Sequence, residues 1–242
     1  MNNNEVLKYI SEVWEKKVKK EPYYSSVNDS KYLISNLNDE NKKSFFDTGF
    51  RDVDFIKKTI EECKINLDIS TCMEYGCGIG RVTSAFCKTF PCTYGIDISN
   101  SYLEIAKENL DSLSHLKYIK INKQKDIEDL PNVDLIYSVL VLQHNPPPIS
   151  SIIIKQFCRC LNPNGIAIFQ IPTYNYYYKF IEKDYISSII SADEIDMHVL
   201  SQKEIFDIIL KNNCKIIEIK KDFWTGRLED LSQTFVIQKE SS

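Results

Sequence analysis

The chain has 242 residues and a formal net charge of −4, with 43% hydrophobic and 26% charged residues. These values are typical of an ordinary globular protein and exclude the disordered, collagen-like and coiled-coil classes. The negative charge provides no basic field for a nucleic acid, and no apolar run is long enough for a membrane span or an export signal. We therefore expect a cytoplasmic monomer or homodimer without a nucleic-acid or membrane partner.

The first 50 residues predict a helical cap, which begins with a helix over Glu5–Lys20. From residue 51 to residue 242, apolar and β-branched segments alternate with helical patterns, which is typical of a parallel sheet with crossover helices. The predicted strands lie near Ile69–Tyr75, Thr93–Asp97, Leu116–Ile121, Val133–Ser138, Gly165–Ile171, Cys214–Ile219 and Gln233–Gln238. The predicted helices lie near Asp52–Asn66, Gly80–Lys88, Ser101–Leu110, Pro147–Leu161 and Ser201–Asn212.

This order predicts an α/β fold, a Rossmann-like sheet of seven mostly parallel strands with helices on both faces. Two stretches fall outside the alternation, namely the cap 1–50 and an insertion 172–200 after the fifth strand. Both are too apolar for solvated tails, and we expect them to fold as lids over the carboxyl edge of the sheet.

Three of the seven glycines, Gly76, Gly78 and Gly80, fall within five positions between the first strand and a helix. Glycines there allow the backbone to approach a ligand, and the first helical turn offers N–H groups to an anionic group. The dinucleotide spacing fails, because its third glycine is replaced by Arg81. Glu74, just before the loop, would repel a pyrophosphate and suits a ligand with an ammonium or sulfonium charge.

Two further acids follow neighbouring strands. Asp97 ends the second strand, where both carboxylate oxygens could accept from ribose hydroxyls, and Asp126 follows the third, where it could accept from an adenine amine. The alternatives are a turn residue for Asp97 and a solvated loop acid for Asp126.

At these residues the sequence resembles the class I S-adenosylmethionine-dependent methyltransferases, over roughly residues 45–238. The resemblance rests on five blocks in the same order: Glu74 to Arg81, Gly95 to Ser99, Asp126-Ile127, Val133 to His144, and Leu161 to Pro172. The chain departs from the family pattern at Asn164, where glycine is usual.

The resemblance implies S-adenosyl-L-methionine as cofactor, released as S-adenosyl-L-homocysteine, and a set of binding positions. The methionine moiety would lie against Glu74 and the glycine loop, the ribose against Asp97, and the adenine against Asp126 and Ile127. The backbone of Ser138–Leu140 would lie beside the amino group. The expected cofactor-binding residues are Glu74, Gly76, Cys77, Gly78, Gly80, Arg81, Asp97, Ile98, Asp126, Ile127, Ser138 and Val139.

His144 is the candidate general base, because it stands just ahead of the predicted helix that begins near Pro147. The helix dipole disfavours the protonated imidazole there and leaves it able to accept a proton. The alternative is a histidine that only hydrogen-bonds the loop. Asn145-Pro146-Pro147-Pro148 resembles the Asn-Pro-Pro-aromatic motif of amine methylation, but Pro148 replaces the aromatic residue that would stack the target base.

The acceptor is expected to be a small polar molecule, such as a sugar, a sugar nucleotide or a building block of a surface polysaccharide. Candidate substrate-binding residues are Tyr24, Phe46, Tyr174 and His198, although aromatic residues of this kind often pack a local core. No metal is expected, since Asp134 begins its strand at the opposite edge and the eight cysteines lack zinc-ligand spacing.

Three functions remain open from the sequence. The first is O-methylation of the polar acceptor, and the second is N-methylation of a small amine or amino sugar. The third is a non-catalytic regulatory module that binds the nucleotide.

Overall fold

A computed structural model describes residues 2–110, 113–189 and 196–241 of the chain. Part of the predicted insertion 172–200, residues 190–195, lies outside the described residues. The chain divides into two compact units, one of Ser11–Ile121 and the other of Met1–Ile10 with Asn122–Ser242. Within the described ranges, no helix combines the length and the apolar character needed to cross a bilayer.

The unit Ser11–Ile121 contains three parallel strands, β1 (Thr71–Tyr75), β2 (Cys92–Asp97) and β3 (Leu116–Lys120). The helices are α1 (Asn3–Lys20, from residue 11 onward), α2 (Tyr24–Val27), α3 (Asp39–Glu62), α4 (Arg81–Thr89) and α5 (Asn100–Leu110). Strand β1 is buried except at its first residue, which is typical of an inner parallel strand, although it includes the carboxyl group of Glu74.

The unit that contains residues 122–241 has strands β4 (Val133–Ser138), β5 (Leu161–Asn175), β6 (Cys214–Asp222) and β7 (Asp230–Lys239). Its helices are α6 (Gln124–Glu128), α7 (Pro147–Cys160), α8 (Glu182–Ile189) and α9 (Gln202–Lys211). Strands β4 and β5 are parallel, whereas β7 is antiparallel to both β5 and β6.

The seven strands follow the order β3-β2-β1-β4-β5-β7-β6 in the described part of the chain. The prediction of a seven-stranded, mostly parallel α/β sheet is therefore confirmed, with β7 as the antiparallel strand. The core of the second unit includes stacked aromatic rings: Phe169 and Phe235 stack at 5.4 Å between ring centroids, and both are fully buried. Burial of such rings supplies much of the free energy that stabilises the sheet.

Several helices and strands begin or end at residues other than those predicted. Helix α3 begins at Asp39 and ends at Glu62, so the predicted boundary between residues 50 and 51 falls inside a continuous helix. Strand β5 begins at Leu161, four residues before the predicted Gly165, and is interrupted by a bulge: Val133 pairs with Leu161, but Leu135 pairs with Ile166. The short helices α6 and α8 have too few turns to give a clear periodic pattern, and the sequence analysis did not predict them.

The bulge explains the departure at Asn164. Its backbone is left-handed, with φ = +64°, a conformation that glycine adopts most easily and asparagine next. A Cβ at the following Gly165 would lie 2.9 Å from the carbonyl oxygen of Asn162 and 3.0 Å from that of Asp134. Asparagine is therefore tolerated at position 164, whereas position 165 requires glycine.

Candidate functional site

The glycine loop between β1 and α4 has the backbone that its composition predicts. Gly76, Gly78 and Gly80 have φ values of +82°, +52° and +90°. The N–H groups of Gly76 and Cys77 both donate to the carbonyl of Ile96 at 2.8 Å, which ties the loop to β2. All three glycines are thus needed for their left-handed conformation, where a side chain would cause strain.

Asp97 is buried at the end of β2, beside this loop. Its Oδ2 accepts from the N–H of Gly78 at 2.8 Å, and its Oδ1 accepts from the N–H of Ser99 at 2.8 Å. Burial raises its pKa to about 6, against the lowering effect of these bonds. A carboxylate offers about four lone-pair sites, so two backbone bonds leave acceptor capacity on both oxygens for ligand hydroxyls.

Glu74 is also buried, with 7% of its surface exposed. Its Oε2 accepts a short hydrogen bond from the hydroxyl of Thr83 on α4. Burial raises the pKa of Glu74 to about 8, although the Thr83 bond and the nearby Arg81 lower it. A buried carboxyl with so high a pKa is protonated near pH 7. A cationic ligand group beside it would favour the ionised carboxylate.

The structure gives Arg81 a partner that the sequence analysis did not foresee. Its Nη1 lies 2.6 Å from Oδ2 of Asp52 on α3, and both side chains are mostly buried. Helices α3 and α4 approach closely here, since a Cβ at Gly49 would lie 2.3 Å from the Arg81 carbonyl oxygen. The guanidinium therefore joins two helices, and a role of Arg81 toward a ligand stays a prediction.

The cap residues of this unit contact the end of β2. The carboxylate of Glu15 on α1 accepts from the hydroxyl groups of Ser99 and Ser101 and from backbone N–H groups at the start of α5. Burial would raise the pKa of Glu15, but these bonds outweigh it and hold the pKa below its usual value. Half-buried Ile98 accepts at its carbonyl from the hydroxyl of Ser11 at 2.8 Å.

The aromatic residues of the cap form a small core. Tyr23 and Phe45 are buried with their rings 5.0 Å apart in a cluster that includes Ile79 of the glycine loop. Phe46 packs against this cluster and Tyr24 is half-buried. Packing therefore accounts for Phe46, and substrate contacts by Tyr24 and Phe46 stay predictions.

Asp126 belongs to the unit that contains residues 122–241, where it stabilises the start of a helix. Its Oδ2 accepts from the N–H groups of Asn122 at 2.8 Å and Lys123 at 3.1 Å, so it caps the start of α6. Its neighbour Ile127 is fully buried, as is Ser138 at the end of β4, while Val139 is half-buried. The structure does not test the predicted adenine and amino-group contacts of these residues.

The segment after β4 carries a chain of buried amides that ends at His144. Gln170 of β5 accepts at Oε1 from the Leu140 N–H at 3.0 Å and donates from Nε2 to Gln143 Oε1 at 3.0 Å. Nε2 of Gln143 lies 3.3 Å from Nε2 of half-buried His144. His144 lies in a 3₁₀ turn, Leu142–His144, ahead of α7, as predicted.

A cavity of about 270 Å³ lies at the ends of β5 and β7 within this unit. It is lined by aromatic, charged and polar side chains, which include Asn175, Tyr178, His198, Arg227 and Asp230. His198 is buried, its Nδ1 lies 2.9 Å from the Tyr178 hydroxyl, and burial lowers its pKa to about 4. The imidazole of His198 is therefore neutral near pH 7, and the predicted Tyr174 is exposed and does not line the cavity.

Asp230 is the unusual group in this cavity. Its Oδ1 accepts from the Asn175 side-chain amide at 2.6 Å, while its buried Oδ2 has no hydrogen-bond partner among the described residues. A buried carboxylate oxygen without a donor is costly, and a donor group of a ligand would offset that cost. Neither the cavity nor Asp230 was predicted from the sequence, because no local pattern marks a residue at the start of an antiparallel strand.

The described residues contain no group of three or more His, Cys, Asp or Glu side chains arranged to hold a metal ion. All eight cysteines have free thiols, and six of them are buried.

Comparison with known proteins agrees with this architecture. Residues 72–165 match the family model described as "Methyltransferase domain". Over these residues the chain is similar to methyltransferase domains. The matched residues begin within β1 and include the glycine loop, Asp97, Gln143 and His144, whereas Gln170 lies beyond them.

The chain is similar to ubiquinone biosynthesis O-methyltransferase of Coxiella burnetii, at 28% identity over 143 residues, 57% of this chain and 56% of that relative. It is also similar to malonyl-acyl-carrier-protein O-methyltransferase of Halalkalibacterium halodurans, at 28% identity over 102 residues, 40% of this chain and 37% of the relative. The chain thus spans about half the length of these curated relatives, or less.

Two solved structures have a fold similar to that of this chain. The first is magnesium protoporphyrin IX methyltransferase from Synechocystis PCC 6803 with bound SAH, with a TM-score of 0.62, 15% identity and coverage of 99% of this chain and 100% of that one. The second is an S-adenosylmethionine-dependent methyltransferase from Clostridium acetobutylicum, with a TM-score of 0.56, 16% identity and coverage of 78% and 90%. Identities this low establish likeness of fold.

Proposed function

We propose that this protein transfers a methyl group from S-adenosyl-L-methionine to an oxygen of a small polar acceptor and releases S-adenosyl-L-homocysteine. The observation that carries the proposal is the pair of buried carboxyls, Glu74 and Asp97, on either side of a left-handed glycine loop. This arrangement lies inside the segment that matches the methyltransferase family model.

The chemistry of the donor set fits the ligand. Asp97 retains acceptor capacity for two ribose hydroxyls, and Glu74 offers a negative charge to the ammonium or sulfonium group. The left-handed glycine loop Gly76–Gly80 would hold the methionine moiety through its backbone. Asp126, Ile127 and the backbone after Ser138 complete the proposed binding residues.

The bound S-adenosylmethionine supplies an electrophilic methyl group on a sulfonium sulfur, so that alignment of the acceptor provides most of the rate enhancement. An acceptor hydroxyl must also lose its proton. We assign that proton to His144, the imidazole that follows β4.

The acceptor class is supported by the cavity at the ends of β5 and β7. Its volume of about 270 Å³ suits a molecule of modest size, and its lining mixes tyrosines with charged groups. Tyrosine faces and carboxylates together favour a hydroxyl-rich ligand such as a sugar or sugar derivative. A role in polysaccharide biosynthesis would follow from such an acceptor.

One observation favours a second candidate, N-methylation of a small amine or amino sugar. Among the described residues, buried Oδ2 of Asp230 has no donor, and those that line the cavity include a second acid, Glu229, and one cation, Arg227. Two acids against one base favour a ligand that carries an amino group.

The test has two stages. Calorimetry with S-adenosylmethionine and S-adenosylhomocysteine measures cofactor binding, and we expect both to bind. Mass spectrometry then follows methylated products from a panel of sugars, sugar nucleotides and amino sugars. Absence of cofactor binding would overturn the proposal, whereas tight binding without any methylated product would indicate the nucleotide-binding regulatory module instead.

A further inference from the structure

The buried amide chain that ends at His144 has a fixed polarity. Its first donor is the backbone N–H of Leu140, which can only donate. The side-chain atom of Gln170 that faces it at 3.0 Å must therefore be the carbonyl oxygen, and the NH₂ group of Gln170 points the other way. That NH₂ group donates to Ser232 Oγ at 2.8 Å and to Gln143 at 3.0 Å.

The same reasoning fixes the orientation of the next side-chain amide, that of Gln143. The Gln143 atom that faces the NH₂ group of Gln170 must be an acceptor, since two amide NH₂ groups would repel each other. The NH₂ group of Gln143 therefore faces Nε2 of His144, at 3.3 Å. Gln143 and Gln170 are 1% and 0% exposed, so water does not compete for these bonds.

An amide NH₂ group cannot accept a hydrogen bond, and so Nε2 of His144 must be the unprotonated nitrogen. We infer that Gln170 and Gln143 are positioning residues that hold His144 in the neutral tautomer with its proton on Nδ1 and its lone pair on Nε2. The tautomer is argued from the hydrogen bonds on the Nε2 side of the ring, while its use in catalysis rests on the proposed function.

The tautomer decides which nitrogen can act as the base. To act as the base, Nε2 would exchange its hydrogen bond from the Gln143 NH₂ group for one from the acceptor hydroxyl, because it has a single lone pair. The O–H bond would then break as an Nε2–H bond forms, and the electron pair left on the oxygen would attack the methyl carbon as its bond to the sulfonium sulfur breaks. The new Nε2–H would then face the NH₂ group of Gln143, a repulsive arrangement that favours release of the proton to solvent. The amide chain thereby selects the tautomer with an unprotonated Nε2 before the reaction and restores it afterwards.

Gln170 has a second effect at the start of the chain. Leu140 has a left-handed backbone with φ = +63°, which is strained for a residue other than glycine. The Gln170 carbonyl holds the N–H of this strained residue. One buried side chain thus orients both the backbone after β4 and the histidine that follows it.

The experiment measures the tautomer directly by nitrogen-15 NMR of the imidazoles in the ligand-free protein. The chain has only three histidines, and a His144→Phe variant assigns the signals of His144. His115 is an internal reference, because its Nε2 lies 2.8 Å from the Cys87 carbonyl oxygen and must carry a proton. At a pH where both rings are neutral, we expect His144 to show protonated Nδ1 and His115 to show protonated Nε2.

Two variants test the chain of amides. Gln170→Met removes the constraint on Gln143, and Gln143→Met removes the donor to His144. In each variant we expect His144 to lose its single-tautomer signature while His115 keeps its own, which also shows that the fold is intact. Methyl transfer in Gln143→Met is expected to fall several-fold in kcat with little change in the dissociation constant of S-adenosylmethionine.

Protonated Nε2 on His144 in the unaltered protein would overturn the inference, as would a His144 tautomer unchanged in a folded Gln143→Met variant. If Gln170→Met fails to fold, the unaltered protein and Gln143→Met decide the question alone. None of these NMR outcomes depends on cofactor binding, so failure of the inference is distinguishable from failure of the proposed function.

Discussion

Glu74 combines burial with a carboxyl group, and under the proposed function it would govern how cofactor binding responds to pH. Its pKa of about 8 means that the ligand-free protein carries it protonated near pH 7. A cationic ligand group binds the ionised form, so binding must expel a proton at this pH. Affinity should therefore rise with pH until about pH 8.

We predict that the affinity for S-adenosylmethionine rises by up to about tenfold per pH unit between about pH 6.5 and 7.5. Calorimetry in buffers of different ionisation enthalpy should show release of up to about one proton. Glu74→Gln is the control and should bind more weakly, without this pH dependence. Equal proton release by the two proteins would show that Glu74 is not the coupled group.

The raised pKa of Glu74 also makes the folded protein less stable as the pH rises. Between the usual carboxyl pKa and about 8, the folded protein holds a proton that the unfolded chain has released, so stability falls as pH rises through this range. We expect ligand-free Glu74→Gln to be more stable than the unaltered protein at pH 8, by on the order of 3 kcal/mol. Urea unfolding at pH 8 and pH 5 measures this, and the difference should shrink at pH 5.

Asp97 is the second residue on which the cofactor proposal depends. Asp97→Asn keeps the shape of the side chain but places an NH₂ group against one of the two backbone N–H donors, Gly78 or Ser99. We expect at least a tenfold weaker affinity for S-adenosylmethionine, since hydrogen bonds to a charged group contribute about 1.5–3 kcal/mol. Asp207→Asn, on the exposed face of α9, is the matched control and should bind as the unaltered protein does. Unchanged affinity in Asp97→Asn would contradict the assignment.

At the scale of elements, the bulge near the start of β5 shows how backbone geometry restricts sequence. The Cβ of an alanine at position 165 would meet two carbonyl oxygens at 2.9 and 3.0 Å, so Gly165→Ala must move backbone. We expect it to destabilise the protein by about 2 kcal/mol or more. Asn164→Gly is the control, because glycine adopts the same left-handed φ, and it should change stability by less than about 1 kcal/mol. Thermal and urea unfolding measure both, and equal stability of the two variants would contradict this account.

Also at this scale, the strands and the long amphipathic helices were predicted because each has a local pattern of apolar residues. Helix α3 shows where that reasoning stopped short. Its first half lies in the cap, and the local pattern there did not reveal that Phe45 and Gly49 continue the same buried face as Val53 and Ile56. The continuous helix follows from packing against α4, where Gly49 meets the backbone of Arg81.

For the whole molecule, the proposed cofactor residues Glu74 and Asp97 belong to one compact unit, whereas Asp126, Ile127 and Ser138 belong to the unit that holds the proposed acceptor cavity. Asp230 lines that cavity and is not a proposed cofactor residue, so its substitution should separate acceptor binding from cofactor binding. We predict that Asp230→Asn raises the acceptor KM at least several-fold, because the buried Oδ2 loses its charge, and leaves the dissociation constant of S-adenosylmethionine unchanged.

Steady-state kinetics with the acceptor found in the product screen measures the KM. Calorimetry measures the dissociation constant of S-adenosylmethionine. An unchanged KM in Asp230→Asn would show that the acceptor binds elsewhere. A loss of cofactor affinity in the same variant would show that the substitution acts through the fold and not through the cavity.

The sequence alone determined the fold class and the glycine loop, because both depend on local properties: the period of apolar residues and the φ angles open to glycine. It also marked Glu74, Asp97 and His144, since each stands next to a strand end. Tertiary structure decided what these groups contact. The Arg81–Asp52 pair, the Glu15 cap, the Gln170–Gln143–His144 chain and the cavity at Asp230 join residues far apart in the chain, and no local pattern encodes such contacts.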